Sequence, residues 1–403
     1  MKKILILIFC LVILFGSLII AETEDEAGKK SPEHIIVFVL DGFRPDYLAM
    51  YNLPTLEFLV EEGVYYANAK GVFPSISAVN HASLVTGAYP DVTGIPNNAK
   101  YDRELDQIVS PLRNIQVPTI SEILKQAGKT TVVLAHYMLK NQGEVAFLEK
   151  GVYQFKQAIS NYQPDLLVYF EVDSDTYGHK YGPYSKRMRG KLVAIDRELG
   201  EMLAYLKEME LREKTAIIVV SDHGMSEHTQ PGVAPELEDL LEGAGFKIAS
   251  SNREIKEDTD IILLQAGCTF LYFREGQIDE QDYKKLITVL AKIPHIDIYT
   301  AKELRKLHVD PEDLGDIVLV PHQGYSIVGG GGGGIHGRPE EEQITLILAG
   351  VGVQQGLVGG EARIIDVVPT ILELLNVEIP ETIQGKVLKR ALERELIDWG
   401  SYF

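Results

Sequence analysis

The segment "HIIVFVLDG", His34 to Gly42, is a short apolar run rich in β-branched residues that stops at an acidic tip, Asp41. The same shape returns twice. "DLLVYFEVDSD" ends at Asp173 and Asp175, and "TAIIVVSDHG" ends at Asp222 and His223. Amphipathic helical stretches separate these runs, so the pattern predicts an α/β layer protein with a largely parallel sheet. Ligands of open α/β sheets bind beyond the carboxyl ends of the strands, which places the three acidic tips along one edge of the sheet. Any one run reads equally well as a strand followed by an Asp-capped helix. Three together, two of them with a histidine close by, point to a site.

Working outward from the tips, His179 follows Asp175 by four residues, a spacing that lets both reach one cation. Asp222 and His223 offer a second oxygen and nitrogen. Asp and His are the donors of catalytic zinc sites that lack cysteine. A further histidine, His336, closes "SIVGGGGGGIHGRP". Its six glycines read either as a flexible linker or as backbone in close approach to something, and a linker has no need of the "IHG" that ends it. Upstream, "GVFPSISAVNHASLVTGAYPDVTGIPNN" gathers Ser75, Ser77, Asn80, His81 and Asn98. Taken alone it is a strand-to-helix turn with an N-cap.

Composition narrows the partners. The chain has 403 residues, 45% of them hydrophobic, and a formal net charge of -19. It can bury a large core, and it has no basic stripe for a DNA or RNA polymer. A small anionic substrate stays compatible if metal ions supply local positive charge. The start, "MKKILILIFCLVILFGSLIIAETEDE", has two lysines, an apolar run and then an acidic stretch, the layout of an export signal over residues 1–21. The run is also long enough to remain as a single membrane anchor. Residues 22–30 read as a linker, and the expected location is exported. The two cysteines are Cys10, inside that signal, and Cys268, so no intrachain disulfide is expected in the mature chain.

In order along the chain, "LDGFR", "FPSISAVNHASLVTGAYP", "DSDTYGH", "SDHGM" and "IHG" resemble the nucleotide pyrophosphatase/phosphodiesterase branch of the alkaline phosphatase superfamily. The likeness runs from His34 to about Leu388. It implies a three-layer α/β/α sandwich with a mostly parallel central sheet over residues 31–388. A small α+β insertion at about 226–330 would contain "CTFLYF", "IDIYT" and "DIVLVP", and residues 389–403 would form a tail.

The resemblance also implies two divalent ions, zinc by preference. Asp175, His179 and His336 would hold one. Asp41, Asp222 and His223 would hold the other, together with the nucleophile Ser77. Asn98 and the backbone amide of Ala78 would grip the non-bridging oxygens of the phosphoryl group. The chemistry agrees with these residue types: a serine hydroxyl is a poor nucleophile near neutral pH, and a bound cation stabilises its alkoxide.

Other positions take plainer readings. His81 is expected to order the nucleophile loop, Asp173 to orient a ligand, Asp366 to cap a helix, and His136 to be a surface or satisfied core residue. Ala78 stands where relatives that cleave nucleotides carry phenylalanine, so little discrimination among nucleobases is expected unless an aromatic from "CTFLYF" or near Tyr325 reaches the pocket. Lys140 is the one candidate for an additional substrate cation, with Gln142 near it. The expected substrate is therefore a small phosphodiester or nucleotide-like ester. Phosphomonoesterase or phosphonoacetate-hydrolase chemistry is the alternative, and an inactive binding homologue comes behind both. "SAVNH" lacks the Pro and Arg of a sulfatase signature.

Overall fold

The computed structural model describes residues 31–392, apart from 113, 141, 143, 144, 328, 330 and 331. The export or anchor segment, the linker and residues 393–403 lie outside the described residues. Among those described, no helix is long and apolar enough to cross a membrane.

The "HIIVFVL" run forms strand β1 (His34–Leu40), buried along its whole length. It sits in an eight-stranded sheet with β2 (Gly63–Lys70), β3 (Thr131–Leu134), β4 (Val145–Phe147), β5 (Leu166–Glu171), β6 (Thr215–Val220), β7 (Leu346–Gly350) and β8 (Leu357–Arg363). The order across the sheet is β8-β2-β7-β6-β1-β5-β3-β4. The β6-β1, β1-β5, β5-β3 and β3-β4 pairs are parallel, as is β8-β2. β7 alone runs against its neighbours.

Because side chains alternate along a strand, β1 feeds two cores. Ile35, Val37 and Val39 join one apolar layer, while Ile36, Phe38 and Leu40 join the other. The first layer includes helix α1 (Ser77–Thr86). The second includes α3 (Lys186–Glu208), which follows the short α2 (Asp173–Tyr181). This is the expected three-layer α/β/α arrangement. With β6, β1, β5 and β3 adjacent and parallel, the residues after their carboxyl ends meet at one edge.

A second, five-stranded sheet spans residues 248–321, with "CTFLYF" as its central strand Cys268–Phe273. It packs through both faces. Ile262, Phe270 and Val318 join the core that also holds α1, and Ile261, Leu263 and Leu271 form a separate cluster with Leu286 and Leu290. The chain beyond 388 is not wholly a tail: Lys389–Leu392 is a helical turn whose Ala391 and Leu392 are buried in the first core. Cys268 is free and buried, its thiol directed at the Gly337 carbonyl.

Candidate active site

Asp41 leaves the end of β1 and is buried. The next residue, Gly42, has φ +65°, and a Cβ there would come within 3.2 Å of Asp175. Glycine is what lets the turn pass between the two acids. The Gly42 amide donates to Asp222 Oδ1 at 3.0 Å, and the His223 amide donates to the same oxygen at 2.9 Å. The tips of β1 and β6 are thus tied together through one carboxylate.

Ser77 is the first residue of α1, at the end where backbone N–H groups have no intrahelical acceptor and favour anions. Its Oγ is 3.1 Å from His223 Nε2 and 3.4 Å from Asp41 Oδ1. His223 Nε2 is 3.3 Å from both Asp41 Oδ1 and Asp222 Oδ2. Alongside, His179 Nε2 lies 3.3 Å from Asp175 Oδ1. His336 Nε2 lies 3.1 Å from His179 Nε2 and 3.6 Å from Asp175 Oδ1. The His223 and His336 rings stack with centroids 3.7 Å apart, joining the two groups.

Each of these three histidines turns its Nδ1 to a backbone carbonyl: His179 to Gly334 at 2.9 Å, His223 to Gly224 at 2.7 Å, and His336 to Ser75 at 2.7 Å. Donating from Nδ1 leaves Nε2 facing inward, which is how outer partners fix the tautomer of metal-binding imidazoles. The glycine run supplies one of those carbonyls. A Cβ on Gly333 would meet the His179 carbonyl at 2.0 Å, and one on Gly334 would meet Met225 Sδ at 2.3 Å. The close approach expected of these glycines is an approach to α2.

The acids are not neutralised by protein cations. Among the described residues, Asp41, Asp175 and Asp222 form ion pairs only with histidines. Asp175 Oδ1 and Asp222 Oδ2 are buried without a hydrogen-bond partner. Burial and the Asp222 charge push the Asp41 carboxyl well above its usual range. Burial opposes charge on His223, but Asp222 and Asp41 outweigh it and lift the imidazole to about 10. His336, buried beside His223, is pushed down to about 3. Converging acids of this kind are costly unless a cation joins them, and the trios Asp175-His179-His336, Asp41-Asp175-His223 and Asp41-His81-Asp222 each converge closely enough to hold one. The donor set, oxygen and imidazole without thiolate, fits divalent zinc.

Several residues stand elsewhere than the sequence suggested. Asp173 does not orient a ligand: it pairs with Lys191 at 2.8 Å and Lys150 at 3.4 Å. Asp366 accepts from the Arg363 amide, capping the one-turn helix Ile364–Asp366, and also from the Lys386 amide, which clasps the last segment to the body. His81 does more than order its loop, since its Nε2 is 3.3 Å from Asp222 Oδ2. His136 is buried with an unpartnered Nδ1, and its Nε2 lies 2.9 Å from His81 Nδ1. Asn98 is exposed, and Asn97 Oδ1 accepts from its backbone amide at 2.7 Å.

Lys140 lines a cavity of about 370 Å³ with Tyr137, His136, Leu112 and Phe147. Tyr137 also borders the acids: burial and the charges of Asp41, Asp222 and Asp175 raise its hydroxyl pKa well above the usual value. The aromatic beside the site therefore comes from the end of β3. Phe270 and Tyr272 of "CTFLYF" are buried in the core, and Tyr325 stacks on His295. Sequence reasoning also passed over Arg338 and Glu341, a fully buried pair bonded at 2.5 Å just past His336. The Arg338 carbonyl accepts from Ser75 Oγ at 2.6 Å, and the Glu341 carbonyl accepts from the Gly224 amide at 2.7 Å, so this pair braces the turns carrying His336 and His223.

Comparison with known proteins gives the family. The chain matches the type I phosphodiesterase/nucleotide pyrophosphatase family over residues 35–143 and 144–342. It is 27% identical to the bis(5'-adenosyl)-triphosphatase of Bos taurus over 342 residues, covering 79% of this chain and 71% of that protein. It is 28% identical to ectonucleotide pyrophosphatase/phosphodiesterase family member 1 of Homo sapiens over 52% of this chain and 25% of that one. The fold is shared with human ectonucleotide pyrophosphatase/phosphodiesterase 5, at a TM-score of 0.71 and 20% identity over 88% of this chain and 97% of that one. The murine counterpart, an inactive variant in complex with AMP, gives 0.70 at 20% identity over 86% and 96%. The chain belongs to the type I phosphodiesterase/nucleotide pyrophosphatase family and is a phosphoric ester hydrolase.

Proposed function

We propose that the chain is an exported hydrolase of small phosphodiesters and nucleotide-like esters, working through a phosphoserine on Ser77 with two zinc ions. One ion would be held by Asp175, His179 and His336, the other by Asp41, Asp222, His223 and Ser77. The observation that carries this reading is the position of Ser77 Oγ, at a helix N-terminus and 3.1 Å from His223 Nε2 and 3.4 Å from Asp41 Oδ1. Export rests on the apolar N-terminal run alone.

When bound, the ions supply the positive charge that favours the serine alkoxide and the leaving oxygen. The rest falls to the protein. Ser77 loses its proton to water, and its Oγ bonds to phosphorus as the ester P–O bond breaks and the departing alcohol takes up a proton from water. Water then cleaves the phosphoserine, releasing a phosphomonoester and restoring Ser77. The first amides of α1, Ala78 among them, and the Asn98 side chain hold the non-bridging oxygens, where charge accumulates. The cavity beside Tyr137 receives one ester group, its ring supplying the flat surface that Ala78 lacks. A diester is favoured over a monoester dianion because, among the described residues, Lys140 is the only cation lining that cavity. The bis(5'-adenosyl)-triphosphatase relatives support the nucleotide-like class.

The test is a parallel assay of purified protein on bis(4-nitrophenyl) phosphate, 4-nitrophenyl phosphate, a dinucleoside polyphosphate and phosphonoacetate, before and after chelation. Cleavage of the two diester-type substrates, abolished by chelator, restored by zinc, and leaving phosphate on Ser77 in quenched samples by mass spectrometry, is the expected result. Preference for the monoester or phosphonoacetate moves the enzyme to the alternative chemistry.

A further inference from the structure

His81 is fully buried and differs from the three histidines that face inward at the acids. Their Nδ1 atoms rest on carbonyl oxygens, which fixes a proton there. His81 Nδ1 instead meets another imidazole, His136 Nε2, at 2.9 Å, and nothing in that contact requires Nδ1 to hold the proton. Its other nitrogen, Nε2, lies 3.3 Å from Asp222 Oδ2 and 4.0 Å from Asp41 Oδ2. A bare Nε2 lone pair aimed at two carboxylates is repelled, and an Nε2–H is attracted. The far end of the pair agrees. His81 Nε2, Asp222 Oδ2 and His136 Nδ1 are each buried without a hydrogen bond, and of the three only the first two face one another, 3.3 Å apart, so a proton on His81 Nε2 serves both and the lone pair falls to His136 Nδ1. With His136 protonated at Nε2 and His81 at Nε2, every close contact has one proton and one lone pair. Phe170 closes the pair in, its ring 4.8 Å from His81 and 5.6 Å from His136.

We infer that His136 and His81 form a one-directional relay whose last donor, His81 Nε2, is directed at Asp222 Oδ2, and that His81 is a positioning residue for this carboxylate rather than an ion ligand. The consequence is specific. Asp222 Oδ1 already accepts from the Gly42 and His223 amides, so its two lone pairs are taken. With a His81 Nε2–H turned onto the 3.3 Å contact, Oδ2 would keep one lone pair for the ion, which makes Asp222 a one-oxygen ligand whose direction His81 fixes. This rests on the two-ion reading above but not on its substrate.

The test uses the full chain loaded with zinc. Ion content by elemental analysis and affinity by competition with a chromogenic chelator are measured for wild type, His81→Ala, His81→Gln, His136→Phe and the His81→Gln/His136→Phe double variant. The expected result is two ions in every protein at saturating zinc, with the weaker affinity reduced about 10- to 100-fold in His81→Ala, as loss of an outer partner does. A glutamine amide can donate to Oδ2, so His81→Gln should recover most of that loss. His136→Phe should weaken binding in the wild-type background and change nothing further beside His81→Gln. Nitrogen-15 shifts of the histidine rings, assigned through the variants, should show protonated Nε2 and bare Nδ1 on both His81 and His136. Loss of one whole ion in His81→Gln, or a bare His81 Nε2, makes His81 a ligand and overturns the inference. An additive effect of His136→Phe in both backgrounds overturns the relay. Absence of phosphodiesterase activity with these binding results intact would sink the proposed function and leave the relay standing.

Discussion

The two acid-histidine groups at the sheet edge are built on different supports. Asp41, Asp222 and His223 sit on strand ends, with side chains at most 4% exposed, and backbone amides hold Asp222 in place. Asp175, His179 and His336 come from a short helix and a glycine loop, and the His179 side chain is 45% exposed. The difference teaches how one edge can support one donor group rigidly and another adjustably. The inner group inherits the stiffness of β1 and β6. The outer group depends on how closely the glycine run lies along α2.

The largest expected effect lies where the groups meet. Ser77→Ala should lower kcat on bis(4-nitrophenyl) phosphate by about three orders of magnitude or more while thermal unfolding stays near wild type, because a covalent nucleophile is lost from a site the fold does not need. Near-normal turnover would mean that the groups do not converge on Ser77. Next comes the contrast itself. Asp222→Asn should reduce activity at least about 100-fold and stay inactive in excess zinc, since the amide cannot serve both the backbone and an ion. His179→Ala should lose activity at stoichiometric zinc and regain much of it in excess. Equal rescue of both variants would erase the distinction between rigid and adjustable groups.

pH sharpens the same contrast. In metal-free protein His223 holds a proton up to about 10, and an ion must displace it. Inner-site zinc affinity, followed by chelator competition, should therefore rise by up to about tenfold per unit between pH 6.5 and 10, with proton release seen in weakly buffered solution. The stability sign follows: His223 is raised above its unfolded value, so its contribution is full below about 6.5 and lost as pH climbs through about 10, and the raised Asp41 acts in the same direction. Melting of the metal-free protein should fall from pH 7 to 10, while the zinc-loaded protein changes less. Gly333→Ala, at φ +75° and facing the His179 carbonyl, should weaken the outer ion about tenfold and spare the inner one. The smallest effect belongs to Lys140→Ala, a few-fold loss, greater on 4-nitrophenyl phosphate than on the diester.

The strand tips were legible because the chemistry there interrupts a pattern. Asp41, Asp175, Asp222 and His223 each end an apolar run, and the parallel sheet brings those ends together. The same logic would have found His136 and Tyr137, for "TTVVLAHY" is another β-branched run ending in a histidine, and β3 is two strands from β1. It was passed over because no carboxylate marks its tip. Arg338 and Glu341 carried no signal, since a charged pair in "RPEEE" looks like solvent-facing sequence, and only the fold removes it from water. Tyr137 was hidden for another reason. The missing ring at Ala78 points to the inserted sheet, whereas the ring nearest the acids, Tyr137 with its centroid 5.2 Å from His81, follows a strand of the central one.

The bond from His336 to the Ser75 carbonyl joins residues 261 positions apart. For a folding chain that is a long wait. The loop entropy of so distant a closure must be met before the outer group exists, even though the cost grows only slowly with length. A cation therefore meets a complete outer group only where both ends of that closure are in place, so its binding is coupled to folding. Once captured, the ion binds the native state and not the unfolded one, and each factor of ten in its free concentration above the dissociation constant deepens the native well by about 1.4 kcal/mol. The persistence of the folded chain thereby becomes a reading of how much metal its surroundings hold.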